Sequence, residues 1–227
     1  MAMKGSGTAE EYRVVTEHDD GFGWIAYPDE TMQRASHALV VDGEVWVLDP
    51  VDVPGLDERL AEYGDVAGVV VTLDRHSRDA AEVATRHEVP VFLPNWMDGV
   101  TKKIDAPVER FGAELDDTGY RAIRLHDNRF WQEVALWNSE TGVLWVPESV
   151  GTAEYFLASG ETLGVHPMLR ALPPRRALGG LEPEVLAVGH GPGIDQGAAQ
   201  VLRDALSTSR SKLFNLYVKN ARSFLSF

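Results

Sequence analysis

Cysteine is absent from this 227-residue chain, which excludes disulfides and thiolate ligands and leaves only His, Asp and Glu to hold a metal. Lysine is scarce, at five residues, and the formal charge is -14; a nucleic-acid footprint needs a clustered basic face, so that class of partner is excluded. The small basic group Arg170, Arg175 and Arg176 around Pro173-Pro174 reads as a solvated loop. No apolar run approaches the ~20 residues of a membrane span, so no membrane association is expected. The start, Met1-Ala2-Met3-Lys4-Gly5-Ser6-Gly7, lacks the apolar segment of a signal peptide. It is expected to be a tag remnant or disordered start over 1–10, and the protein is expected in the cytoplasm. A glycine-rich phosphate loop, a serine nucleophile elbow and a dinucleotide fingerprint are also missing, which excludes the chemistries built on them.

What is present alternates between short apolar runs and polar turns. Tyr12–Val15 and Gly23–Tyr27 read as strands split by a polar turn, and His37–Val41 and Glu44–Asp49 flank Asp42-Gly43, a hairpin signal. Pro54 to Tyr63 has Leu56, Leu60 and Tyr63 on one helical face. Val69 to Leu73 is a strand apolar on both faces, a helix from Ser77 to His87 follows, and Val89–Leu93 completes a strand–helix–strand crossover. The second half repeats this order: strands at Tyr120–Leu125, Glu133–Trp137 and Val143–Val146, a helix over Gly151 to Gly160, a strand ending at His190, and a helix over Gln196 to Arg210. Two β-rich halves with helices outside predict an α/β fold, a four-layer αββα sandwich with residues 1–227 as one domain. The segment 209–227, with Leu213, Leu216, Tyr217, Phe224 and Leu225, is an apolar extension expected to pack on the body or on a second copy, as a homodimer would allow.

Two stretches carry the chemistry. Val69-Val70-Val71-Thr72-Leu73-Asp74-Arg75-His76-Ser77-Arg78-Asp79 takes an apolar strand straight into a cluster of ionisable residues, and Val185-Leu186-Ala187-Val188-Gly189-His190-Gly191 ends a second strand in a histidine framed by glycines. Over about Ala35 to Leu206 this layout resembles the metallo-β-lactamase fold superfamily, in an uncharacterised branch with an altered motif. In that family a strand ends in His-x-His-x-Asp-His, further ligands come from later loops, and a Gly-His-Gly-like loop closes the site. With Asp74 at the first motif position, His76, Arg78 and Asp79 take the second, third and fourth. Glu148 falls where the family places a bridging Asp, His190 matches the closing His, and His126 is the only possible ligand of that type where the middle His loop would fall, between His126 and Arg129. A register that starts at Leu73 is the alternative, and in it Leu73, Arg75, Ser77 and Arg78 replace all four ligands.

The resemblance implies a metal-dependent hydrolase acting on a small ester, lactone, thioester or phosphoester, and the substitutions reduce it. A guanidinium stays protonated at any relevant pH, so Arg78 at an Asp position repels a second cation. The expectation is at most one ion, zinc, iron or manganese, held by Asp74, His76, Asp79 and His190, with Glu148 and Asp79 in catalytic roles as ligand or general base. The alternative is a non-catalytic binding or scaffold protein without metal, its cleft held by pairs between Asp74 or Asp79 and Arg75, Arg78 or Arg129. A metal-free hydrolase using Asp, His and Glu directly has the least support. Asp49 reads as a loop-supporting hydrogen-bond acceptor, His166 and His37 as structural, His18 and His87 as surface residues, and Trp96 and Trp131 as aromatic residues in loops that line a pocket.

Overall fold

The computed structural model describes residue 9 and residues 11–225, with side chains through residue 221. The start segment 1–10, Ala9 excepted, and the side chains of Phe224 and Leu225 lie outside the described residues.

Seven strands in chain order make the first sheet: β1 (Arg13–His18), β2 (Gly21–Ile25), β3 (Ala35–Val41), β4 (Glu44–Leu48), β5 (Asp65–Val70), β6 (Val91–Pro94) and β7 (Val108–Phe111). The first four form an antiparallel meander, and β4 to β7 are parallel. The β3–β4 hairpin closes on Asp42-Gly43, with φ of 52° and 84°. Both are positive, as the tight turn that matches strand twist requires, which is why Asp-Gly sits there. The parallel pairing of β5 with β6 is the crossover predicted from sequence. Its helix α2 (Ala80–Arg86) packs on β5 beside α1 (Leu56–Ala61).

The second sheet has the order β13-β10-β9-β8, from β8 (Arg121–Asn128), β9 (Trp131–Asn138), β10 (Val143–Val146) and β13 (Val185–Val188), the last parallel to β10. The period of two in these strands sorts their side chains into two cores. Val134, Leu136, Val143, Trp145 and Ala187 face the first sheet and join its core. Ala135, Trp137, Leu144, Val146, Leu186 and Val188 face the other way, against Ala198, Leu202, Ala205 and Leu206 of α5 (Ala198–Thr208) and Leu178 of α4 (Arg175–Leu178). The four buried α5 positions recur at three and four residues, one helical stripe, and cutting Leu202 to alanine is expected to cost about 2–5 kcal/mol. Helix, sheet, sheet, helix is the four-layer αββα sandwich.

Three boundaries differ from expectation. Strand β5 runs from Asp65 to Val70 rather than ending at Leu73. Beyond it Val71 still donates to Phe92 O, but Thr72 N turns to the Asp49 carboxylate. Helix α2 begins at Ala80, not Ser77. The helix expected over Gly151 to Gly160 is a series of turns, because Thr152 N and Ala153 N both donate to His190 O and so start no helical ladder. It sits between β11 (Val150–Gly151) and β12 (Gly164–Val165), a short antiparallel pair that forms a sheet of its own. Two short elements, α3 (Asp98–Thr101) and β7, lie between β6 and β8. Helix α6 (Leu213–Leu225) occupies the apolar extension and packs on the 3-10 turn Pro167–Leu169. Among the described residues no helix is long and apolar enough to cross a membrane.

Candidate metal centre

Three strand exits meet at one end of the sandwich. His76 comes from the loop after β5, Glu148 follows β10, and His190 follows β13. Each offers one ligand atom, these atoms lie within 4.8 Å of one another, and all three residues are buried. His76 Nε2 is 3.7 Å from Glu148 Oε2.

The buried neighbours fix which atoms point inward. Asp49, fully buried, accepts from Thr72 N and Thr72 Oγ1, each at 2.7 Å, and its Oδ2 lies 2.9 Å from His76 Nδ1. Burial pushes its carboxyl up to about 6, against the pull of Arg78 and the Thr72 bonds. An ionised Asp49 accepts from His76 Nδ1–H, which keeps the proton on Nδ1 and turns the Nε2 lone pair toward Glu148. Thr72 Oγ1 in turn accepts from Trp145 Nε1 at 2.9 Å, so the chain Trp145–Thr72–Asp49–His76 ties the second sheet to the first. His190 Nδ1 lies 3.0 Å from Met32 O, which fixes the proton there, and Nε2 is buried without a hydrogen-bond partner among the described residues. Burial holds His190 neutral, well below the usual imidazole range. A buried imidazole nitrogen without a hydrogen-bond partner, beside a second imidazole and a carboxylate, is a donor set that fits a divalent cation.

Glu148 is set by two groups that sequence reasoning did not assign to the site. Glu133, fully buried on β9, accepts from Glu148 N (3.0 Å), Ser149 N (2.7 Å), Ser149 Oγ (2.6 Å) and Trp131 Nε1 (2.7 Å). These four bonds compensate its desolvation, which pushes its carboxyl up. The signal was legible: a charged residue on an otherwise apolar strand needs dedicated partners. His166 was read as packing, yet its Nε2 is 3.5 Å from Glu148 Oε1 while Nδ1 accepts from Met168 N. Burial, with Arg75 nearby, pulls it down to about 3; it is neutral and presents Nε2–H toward Glu148. Burial raises the Glu148 carboxyl, and Arg75 opposes this.

Asp74 and Asp79 are not brought to this group. Asp74 accepts from Gln132 N at 3.2 Å and from Arg75 Nη1 at 3.2 Å. Asp79 accepts from Asp52 N at 2.8 Å and lines a cavity of about 550 Å³ with Tyr27, Asp52, Val53 and Glu82. Asp74 thus holds a main-chain amide of β9 and Asp79 one of the loop after β4, and neither belongs to the group around His76. His126 is on β8 with its ring 5.4 Å from that of Trp131, and Arg129 stacks on Phe130 at 4.4 Å instead of pointing inward. Trp131 does reach the site, 4.9 Å from His166. His18 and His37 stack on each other, with Nε2 atoms 3.2 Å apart.

Arg78 adopts a left-handed φ of 39° that turns its guanidinium inward. It donates to Ala35 O (2.6 Å), Asp49 O (2.7 Å) and Gly189 O (3.3 Å), with Nη2 3.4 Å from His76 Nε2. Burial lowers its pKa to about 10, still protonated at neutral pH.

No family model matches the chain, and no curated protein matches it. Among solved structures it is similar to the DIM-1 metallo-β-lactamase exposed to ceftazidime, at 15% identity and a TM-score of 0.67, over 90% of this chain and 99% of that one. The chain has the metallo-β-lactamase fold. The TMB-1 enzyme superposes with a TM-score of 0.63 at 13% identity (88% and 97% covered), and a metallo-β-lactamase from Pontibacter korlensis with 0.59 at 14% (87% and 99% covered). At such identities the likeness is one of fold, and what this metallo-β-lactamase-fold chain does has to be argued from its own residues.

Proposed function

We propose that this chain is a hydrolase-like protein that holds one divalent cation between His76, Glu148 and His190, a reduced form of the metal centre on which the fold is commonly built. The observation that carries the reading is the buried Nε2 of His190, without a hydrogen-bond partner among the described residues, in a group whose ligand atoms with His76 and Glu148 lie within 4.8 Å of one another. Two imidazoles and a carboxylate suit zinc, manganese or iron. When bound, such an ion polarises a substrate carbonyl or phosphoryl oxygen and makes water acidic at an open position.

The chain's own groups supply the rest. Asp49 keeps the His76 proton on Nδ1, Met32 O does the same for His190, and His166 holds a proton at Nε2 beside Glu148 Oε1. Glu133 fixes the main chain at Glu148 and Ser149, so that carboxylate is presented from a rigid turn. Arg78, with Nη2 3.4 Å from His76 Nε2, leaves room for one ion on the Glu148 and His190 side at most, since any further cation beside its guanidinium is strongly repelled. The substrate class we carry forward is a small ester, lactone, thioester or phosphoester, and the strands of both halves sharing one core support one domain.

The scaffold alternative has less support. Of its expected Asp–Arg pairs, Asp74 meets Arg75 at 3.2 Å in a partly exposed contact, whereas Arg78 donates to main-chain carbonyls. Dialysed protein titrated with Zn²⁺, Mn²⁺ and Fe²⁺, with elemental analysis, separates the two. One equivalent retained, and lost in Glu148→Ala and His190→Ala, is the expected result; no uptake of any ion supports the scaffold.

A further inference from the structure

We propose that Arg75 is the gate of this site: its guanidinium holds Glu148 until a cation takes the carboxylate, and then receives an oxyanion of the substrate at the mouth. The inference rests on the cation site proposed above and adds a substrate chemistry to it.

Each of two arginines addresses one ligand atom. Arg78 Nη2 lies 3.4 Å from His76 Nε2, and Arg75 Nε donates to Glu148 Oε2 at 3.1 Å. That same oxygen faces His76 Nε2 at 3.7 Å, so a cation bridging the two must displace or share the guanidinium. The two arginines differ in freedom. Arg78 is tied to three carbonyl oxygens from separate segments. Arg75 is 38% exposed along its side chain, against 8% for His76 and 9% for Glu148; it lies between the buried group and solvent. A divalent ion and a guanidinium on one carboxylate oxygen repel each other, and Arg75 is the partner able to leave.

Its other two anchors decide where it goes: Nη1 donates to Asp74 Oδ1 at 3.2 Å, and the guanidinium stacks 4.2 Å over Trp131, itself pinned by its Nε1 bond to Glu133 at 2.7 Å. Stacking holds the cation over the indole face once the carboxylate lets go. With Nη1 still on Asp74, the Nε and Nη2 edge released from Glu148 then pairs in two-pronged fashion with a substrate carboxylate, or with a phosphoryl group. The reciprocal statement follows from linkage: the ion and the oxyanion bind cooperatively, because each relieves the contact that opposes the other.

The test begins with calorimetric Zn²⁺ titration of the wild type, Arg75→Ala and Arg75→Lys. Arg75→Ala is expected to bind Zn²⁺ about tenfold tighter, with Arg75→Lys, which keeps the charge and loses the fork, in between. Benzoate and phenylphosphonate are then titrated into metal-free and Zn²⁺-loaded protein while indole fluorescence is followed, with Trp131→Phe identifying the responding ring. Both probes, or the one that matches the substrate's oxyanion, are expected to bind about tenfold tighter to loaded wild type than to metal-free protein, and this gain is expected to vanish in Arg75→Ala. Equal Zn²⁺ affinity in wild type and Arg75→Ala overturns the gate. An oxyanion gain that survives Arg75→Ala overturns the receptor, since the anion then sits on the ion. Failure of all three proteins to take up Zn²⁺ removes the cation site itself, and is distinguishable from the other two results.

Discussion

The loop after β5 and the loops after β10 and β13 end at the same place with opposite equipment. The first delivers one candidate ligand, His76, together with two guanidiniums, and its two aspartates are occupied by main-chain amides. The other two deliver a carboxylate and an imidazole, and neither brings a cation of its own. What the difference teaches is a division of labour between the halves of the sandwich. The second sheet carries two of the three candidate ligands, Glu148 and His190, and the first carries His76 together with both guanidiniums. Arg78 joins them, because its donors reach Ala35 and Asp49 on one side and Gly189 on the other.

Breaking that junction is expected to have the largest effect. Arg78→Met leaves buried carbonyls without a donor, and urea unfolding should show a loss of about 3 kcal/mol. Arg78→Lys keeps the charge without the fork and should recover less than half; a variant as stable as wild type would contradict the junction. Next comes the orientation of His76. In Asp49→Asn the amide donates where the carboxylate accepted, so His76 moves its proton to Nε2 and loses its ligand lone pair. Zn²⁺ affinity, read by competition with a chromophoric chelator, should fall about 10–100-fold with the fold retained.

A smaller effect isolates a histidine away from the junction. His37 is held well below the usual imidazole range by burial and then by His18. Its neutral form is the folded one, so its contribution is present above about pH 6.5 and is lost as pH falls below that value. Wild type should therefore lose ground to His37→Gln between pH 7 and pH 5, by up to about 1.4 kcal/mol per pH unit. A pH-independent gap between the two would remove His37 from the account. The smallest change is expected at the aspartates. Asp74→Ala and Asp79→Ala should leave ion stoichiometry unchanged and stability within about 1 kcal/mol; loss of the ion in either would return that residue to the ligand set.

Much of the architecture was legible because the period of two in Glu133–Trp137 and Val143–Val146, and the Asp42-Gly43 turn, are local signals with a single geometric solution. His190 was legible for the same reason, being fixed by a strand end and flanking glycines. The loop from Asp74 to Asp79 was not, because alternating ionisable residues in a turn do not state which way each one faces. There the left-handed φ of Arg78 and the capture of Asp79 by Asp52 N decide it. Asp49 and His166 became part of the site only through contacts across 27 and 18 positions of sequence, Asp49 with His76 and His166 with Glu148. Glu133 carried a readable signal, a buried charge on an apolar strand, whose partners only the fold reveals.

X-ray absorption on the Zn²⁺-loaded protein tests the central claim most directly. The account predicts one zinc per chain in a nitrogen and oxygen environment that shows the scattering of two imidazoles. A zinc–zinc vector at about 3.5–4 Å, or the signature of fewer than two imidazoles, would contradict it.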